Sequence, residues 1–234
     1  MHPYNQALHA LLCAHADPAA AAPMRRYMRD QFAYLGIKSP QLGALLKEHL
    51  AEHGLPALAD LEAIVRELWS LPEREFQYSA TSLLGRVKER FPPEFITTLE
   101  TLLVTKSWWD TVDTIAAGSV GTHFKRYPEV REIYLSKWRH SENFWLRRTA
   151  ILFQLKYKAD TDFPLMCAII RENLGSKEFF INKAIGWALR QYSRVDPQGV
   201  RDFVAAAPLH PLSAREALKW LERKEARESV LPTG

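Results

Sequence analysis

The residues best placed by type and spacing to do chemistry are Trp109 and Asp113, within the stretch Lys106-Ser107-Trp108-Trp109-Asp110-Thr111-Val112-Asp113. Residues four apart on an α-helix share a face, so an indole and a carboxylate are held side by side. The neighbouring stripe of Trp108, Val112 and Ile115 is apolar and should point inward. Asp is a poor residue for a helix interior and is almost never buried without a partner. Ser107 reads as the N-cap of this helix, with Asp110 three residues on completing a capping box.

Two further positions break an otherwise apolar pattern. Arg148 shares a helical face with Phe144, Ile151 and Leu155, which puts a guanidinium in an apolar stripe. Left unpaired there, an ion costs several kcal/mol. Trp187 follows Phe180 and Ala184 on one stripe, beside Gly186. A mid-helix glycine costs about 1 kcal/mol against alanine and often admits a close neighbour. Each feature has a plain structural reading. Trp109 and Trp187 are core aromatics, Asp113 and Arg148 are one buried ion pair bracing adjacent helix pairs, and Lys137, Arg139, Lys183 and Arg190 are solvated cations. The alternative reading lies in the combination: two indoles, one carboxylate and one guanidinium converging on one face.

That set suits cleavage of an N-glycosidic bond to a cationic, alkylated purine. The base departs neutral, so no general acid is required, and the sugar gathers oxocarbenium charge. A carboxylate about 4 Å away stabilises such a charge by ~4 kcal/mol at an effective dielectric near 20, close to three decades in rate. Indole faces add roughly 0.5–2 kcal/mol each in holding a cation. One carboxylate suffices where O-glycosidases use two, and Asp113 could also orient the attacking water. Arg148 fits a phosphate beside the lesion. No cofactor is expected, because fixed protein charges do the work.

The helices that must position these residues are legible along the whole chain. Helical spacing runs through 4–16, 23–34, 39–53, 60–70, 76–88, 95–104, 107–126, 129–138, 143–157, 165–173, 176–192, 197–205 and 213–227, with Ser213 and Glu216 reading as a capping box. Gly36 and Gly54 are stop signals, and Ser39-Pro40 reads as a helix start, with Ser39 the N-cap and Pro40 at the first helical position. No segment alternates as a strand would. Aromatic clusters recur at spacings in the mid-thirties: Phe76, Trp108-Trp109, Phe144-Trp145 and Phe179-Phe180. The fold class expected is all-α, a right-handed superhelical solenoid of HEAT-like antiparallel helix pairs with a concave face. One domain over 1–228 and a frayed tail over 229–234 are expected.

The totals exclude several classes. The chain has 234 residues, 47% hydrophobic, and a formal charge of +4, with cations gathered near aromatics at 25–29, 137–148 and 183–194. A mildly basic balance is compatible with nucleic acid but does not require it. Cys13 and Cys167 are far apart, which favours reduced thiols and a cytoplasmic location. The N-terminal stretch, interrupted by His9, Cys13, His15 and Asp17, is not expected to be a signal peptide, and no run reaches the ~20 apolar residues of a membrane span. His49-Leu50-Ala51-Glu52-His53 matches a zinc-peptidase pattern. It lies at a helix C-terminus without a third ligand helix, where histidines also suit exposed carbonyls; no metal is expected.

Five stretches carry a resemblance: 26–28 (RYM), 71–76 (LPEREF), 104–113 (VTKSWWDTVD), 145–158 (WLRRTAILFQLKYK) and 176–189 (SKEFFINKAIGWAL), with Pro211-Leu212-Ser213 and Arg215-Glu216-Ala217 in addition. In these the chain resembles the AlkD family of bacterial alkylpurine DNA glycosylases over nearly its whole length. The resemblance implies a HEAT-like superhelix holding duplex DNA and excising lesions of the 3-methyladenine and 7-methylguanine type. By matching motif it makes Asp113 the catalytic carboxylate, Trp109 and Trp187 the rings on the deoxyribose, Arg148 a backbone contact, and Tyr27 a neighbour of the lesion. A related subgroup lacks the catalytic Asp and Arg; this chain keeps both. Lys183 and Arg190, with Arg25 and Arg29, are further candidate phosphate contacts. The expected partner is double-stranded DNA with alkylated purines, met by a monomer. A non-catalytic DNA-binding module and a HEAT-type protein scaffold are the alternatives.

Overall fold

Most of the apolar residues fall within helices, with Ile37, Phe91 and Phe153 among the core residues supplied by the loops. The computed structural model describes residues 1–228; the tail expected to fray, 229–234, lies outside the described residues. The described residues are all-α, with a single isolated bridge between Ala33 and Glu73 and no strand. They divide into two compact units, Met1–Thr98 and the described residues from Leu99 onward.

The first unit holds α1 (Pro3–Ala14), α2 (Pro18–Tyr27), α3 (Ser39–His53), α4 (Leu58–Ser70) and α5 (Arg74–Val87). α1 packs on α3 and α4, and α4 on α5, burying Leu8, Leu12, Leu61, Ile64, Leu68, Phe76 and Ala80. α2 begins at Pro18, five residues before the expected start, because the Asp17 carboxylate accepts from the Ala19 and Ala20 amides. It ends at Tyr27, short of the expected Tyr34, with Arg29 and Asp30 both in left-handed backbone. The loop that follows is tied down by Glu75. Its fully buried carboxylate accepts the Leu35, Gly36 and Ile37 amides at 3.0, 2.9 and 3.1 Å. Gly36 does not stop a helix. It takes φ +94° where a Cβ would sit 2.0 Å from the Asp17 carbonyl oxygen, so only glycine fits.

The second unit is built of helix pairs. α6 (Ile96–Val104) leads into α7 (Trp109–Thr114), which continues through a π-helical stretch, Ile115–Val120, into α8 (Gly121–Arg126). Then come α9 (Pro128–Trp138), α10 (Phe144–Leu152), α11 (Phe163–Glu172), α12 (Phe179–Tyr192), α13 (Pro197–Ala206) and α14 (Pro211–Glu228). α7, α10, α12 and α14 pack in series, while α9, α11 and α13 lie between their sequence neighbours. This is the stacked-pair arrangement of an all-α solenoid. Such stacking lets consecutive pairs contribute side chains to one row. α10 ends at Leu152, five residues before the expected Tyr157. There the Phe153 carbonyl reaches Gly121, where a Cβ would meet it at 2.5 Å, and the Tyr157 hydroxyl donates to the Gly121 carbonyl at 2.6 Å.

Two expected caps do not form. Ser107 donates its hydroxyl back to the Leu103 carbonyl at 2.6 Å, finishing α6, and the residue before α7 is Trp108 in extended backbone with no side-chain cap. Trp108 therefore leaves the expected stripe with Val112. Ser213 lies inside α14, which begins at Pro211, and donates to the Asn182 carbonyl at 2.8 Å. Glu216 is drawn away from the helix start by cations of α12.

Candidate functional site

α7 carries Trp109 at its first position and Asp113 four residues later, so the expected pairing of indole and carboxylate on one face is kept. Both are half-buried. The six residues of the π-helical stretch that follow are all buried. A π turn re-phases a helix and frequently adjoins a functional site. Here α10 packs against both α7 and the π-helical stretch.

Arg148 stands at the middle of α10 and meets Asp113 fork to fork. Nε donates to Oδ1 at 2.7 Å and Nη2 to Oδ2 at 2.8 Å, while Nη1 donates to the Phe180 carbonyl at the start of α12. The bidentate geometry is the strongest form of such a pair. The guanidinium is 5% exposed and the carboxylate 13%, so the cation is covered while the acid keeps an open edge. Burial pushes the Asp113 carboxyl above the usual carboxylate range, and the hydrogen bonds and charge of Arg148 pull against that. Around the pair lies an aromatic wall. Trp108 packs against Trp145 and Phe180 with centroids 6.0 and 5.2 Å apart, and Phe144 stacks on Phe180. The buried Trp108 Nε1 has no hydrogen-bond partner among the described residues.

Trp187 is half-buried on α12. Gly186 beside it does admit a close neighbour: a Cβ there would stand 2.6 Å from the Glu216 Cβ and 2.9 Å from the Ser213 carbonyl oxygen. α14 thus lies flush on α12. Its Glu216 gathers Lys183 at 3.3 Å, Arg190 at 2.8 Å and Lys219 at 3.8 Å. Burial raises the Glu216 carboxyl, but the Lys183 hydrogen bond and the Lys183, Lys219 and Arg190 charges outweigh it and hold the group below its ordinary range. Lys183 and Arg190, read from the sequence as candidate phosphate contacts, are therefore already engaged by an acid that no sequence pattern paired with them.

Tyr27, the last residue of α2, belongs to the first unit and is 74% exposed. Arg25, two residues earlier, lies 3.4 Å from Asp30. Sequence reasoning missed the Phe180 carbonyl, Glu216, and a cavity of about 300 Å³ that Trp187 lines with Arg190, Arg194, Lys219, Trp220 and Arg223. The recurrence of Lys219, Arg223 and Arg227 every fourth residue was the available signal for the last of these.

The His49 and His53 rings lie 4.6 Å apart, with His49 buried edge-on against Tyr4. Burial and the neighbouring His53 lower the His49 pKa. Among the described residues no group of three or more His, Cys, Asp or Glu side chains is placed to hold a metal ion. Nor is any described helix long and apolar enough to cross a membrane.

A family model for DNA alkylation repair enzymes matches residues 8–221. No curated protein matches the chain. A solved structure described as a predicted DNA alkylation repair enzyme from Enterococcus faecalis superposes with a TM-score of 0.82. It is 34% identical, over 88% of this chain and 96% of that one. With a match that takes in the α7, α10, α12 and α14 row together with the first unit, the chain belongs to the family of DNA alkylation repair enzymes.

Proposed function

We propose that the protein is a monofunctional DNA glycosylase that hydrolyses the N-glycosidic bond of positively charged alkylated purines, such as 3-methyladenine and 7-methylguanine, in duplex DNA. The observation that carries this reading is Asp113: a carboxylate clamped by a covered guanidinium, with one edge open and Trp109 on the same helix face. The clamp fixes where the negative charge sits before substrate arrives, which is what electrostatic stabilisation of a developing cation requires. As the purine leaves with the bonding electron pair, the sugar carbon becomes oxocarbenium-like. Asp113 stabilises that charge and takes a proton from the attacking water. Trp109 and Trp187 pack on the deoxyribose, where their ring faces favour the cation.

Arg148 acts first as the positioning residue for Asp113, and the N–H donors on Nη1 and Nη2 that Asp113 and the Phe180 carbonyl leave over are those through which it would hold the backbone beside the lesion. Tyr27 approaches the lesion, and Lys183 and Arg190 the backbone. Residues 1–228 work as one HEAT-like repeat glycosylase domain, as a monomer, in the cytoplasm. No cofactor enters this chemistry.

Incubation with a methylated duplex, followed by alkaline cleavage of abasic sites, tests the proposal. Strand breaks that need the methylation are expected. Their absence, with the duplex still bound, favours the second reading: a non-catalytic DNA-binding module in which Asp113 and Arg148 only brace α7 against α10, as their bidentate geometry also suits.

A further inference from the structure

Cations on a nucleic-acid-binding face contribute most to affinity where they are not already neutralised. Lys183, Arg190 and Lys219 all converge on Glu216. Arg194 and Arg223 do not: among the described residues neither has a carboxylate partner. Arg194 follows the end of α12, and its guanidinium lies 6.0 Å from the Trp220 ring centre; the Lys224 ammonium lies 5.7 Å from the same ring. Arg223 lines the cavity of about 300 Å³ that reaches Trp187, and also an adjoining one of about 540 Å³ bounded by Arg194, Trp220, Lys224 and Arg227. Among the described residues neither lining includes a carboxylate. Lys219, Arg223 and Arg227 stand four apart, so α14 presents them as one row.

We infer that the α12–α14 cleft, centred on Trp220 with Arg194 and Arg223, is a binding site for consecutive phosphates of one DNA strand flanking the lesion. The Trp220 indole beside Arg194 orients that exposed guanidinium while leaving its outer N–H groups to solvent. Guanidinium groups are weakly hydrated and match phosphate oxygens in pairs. An anion entering here meets Arg194 and Arg223, which no carboxylate among the described residues neutralises, whereas at Lys183 or Arg190 it must first displace Glu216. Because Trp187 lines the same cleft, a strand held there runs on from the proposed sugar site. The inference rests on the proposed function for the choice of DNA as the polyanion.

The test measures affinity of the full chain for an undamaged duplex between about 50 and 200 mM salt. The Arg194→Gln/Arg223→Gln double variant should reduce the slope of log affinity against log salt by about 1.8, roughly 0.9 for each phosphate contact removed. Over that range the wild type then loses about tenfold more affinity than the variant. Lys47→Gln/Lys137→Gln removes the same charge from exposed positions elsewhere and should leave the slope near that of the wild type. Arg194→Lys/Arg223→Lys keeps the cations and should retain the slope, which guards against misfolding as the cause. An unchanged slope in the Gln variant, or an equal fall in the Lys47/Lys137 control, overturns the inference. The duplex carries no lesion, so a wild type that binds it with the expected slope yet releases no methylated base overturns the glycosylase proposal alone.

Discussion

Arg148 and Asp113 form a two-point pair across α7 and α10, at 2.7 and 2.8 Å, and the third point of the guanidinium is fixed by the Phe180 carbonyl of α12. Three successive helices of the row are thereby locked to one buried cation. Breaking one partner of such a pair leaves an uncompensated charge and costs about 3–5 kcal/mol. The same contact thus ties the second unit together and aims its carboxylate.

Asp113→Asn keeps the shape and removes the charge. Release of 7-methylguanine should fall by about three decades, the rate equivalent of ~4 kcal/mol. Duplex affinity should stay within severalfold of wild type. The Arg148 guanidinium loses its counter-charge, so the thermal midpoint should fall as well. Single-turnover base release at a temperature where both proteins are folded checks the first point. Undiminished turnover removes Asp113 from the chemistry.

The pH dependence follows from burial. Asp113 is pushed up by desolvation and held back by Arg148. A carboxyl whose folded pKa is raised adds stability below its unfolded pKa and loses it as pH rises through the folded one. The proton is thus held more tightly than in an exposed aspartate, and base release should fail on the acid side above the ordinary carboxylate range. Arg148→Gln takes away the opposing contribution and should move that acid limb upward by about 1–3 pH units. A pH–rate profile of both proteins decides it; an acid limb that moves down contradicts this account.

Glu216 has the opposite sign. Its carboxyl is held below the usual range by the Lys183 hydrogen bond and the cations around it. Its contribution is present above the unfolded pKa and lost as pH falls through the folded value. Glu216→Gln should cost about 1–3 kcal/mol at pH 7, and the difference should shrink near pH 3. The variant also releases Lys183 and Arg190 from their acid, so its affinity for duplex at low salt should rise. Denaturant melts at the two pH values and a binding titration read these effects.

Gly186→Ala tests how closely α14 lies on α12. The added methyl would stand 2.6 Å from the Glu216 Cβ and 2.9 Å from a backbone carbonyl, so the helices must part. A helix-propensity gain of about 1 kcal/mol is opposed by overpacking of ~1–3 kcal/mol or more. Net destabilisation is expected, together with a change in fluorescence from the adjacent Trp187. A variant more stable than wild type shows that the contact is looser than described.

Local patterns carried much of this protein. Helical periodicity placed Asp113 one turn after Trp109, ended α3 at His53 while naming Ser39 its N-cap where Lys38 takes that place, and marked Arg148 as an ion in an apolar stripe, because helix spacing is decided by a few neighbouring residues. Those patterns could not show that Ser107 finishes α6 instead of starting α7, or that Ser213 and Glu216 face α12 instead of capping α14. A hydroxyl or carboxylate has both local and distant partners to choose from, and only the packed helices decide which is nearer. For the same reason Lys183 and Arg190 looked like free cations until α14 brought Glu216 against them. The sequence by itself determined the helices, the indole–carboxylate face of α7 and the family. Tertiary packing alone decided which charges are paired, because that depends on distances between residues some thirty positions apart: Asp113 with Arg148, Arg148 with Phe180, Lys183 with Glu216.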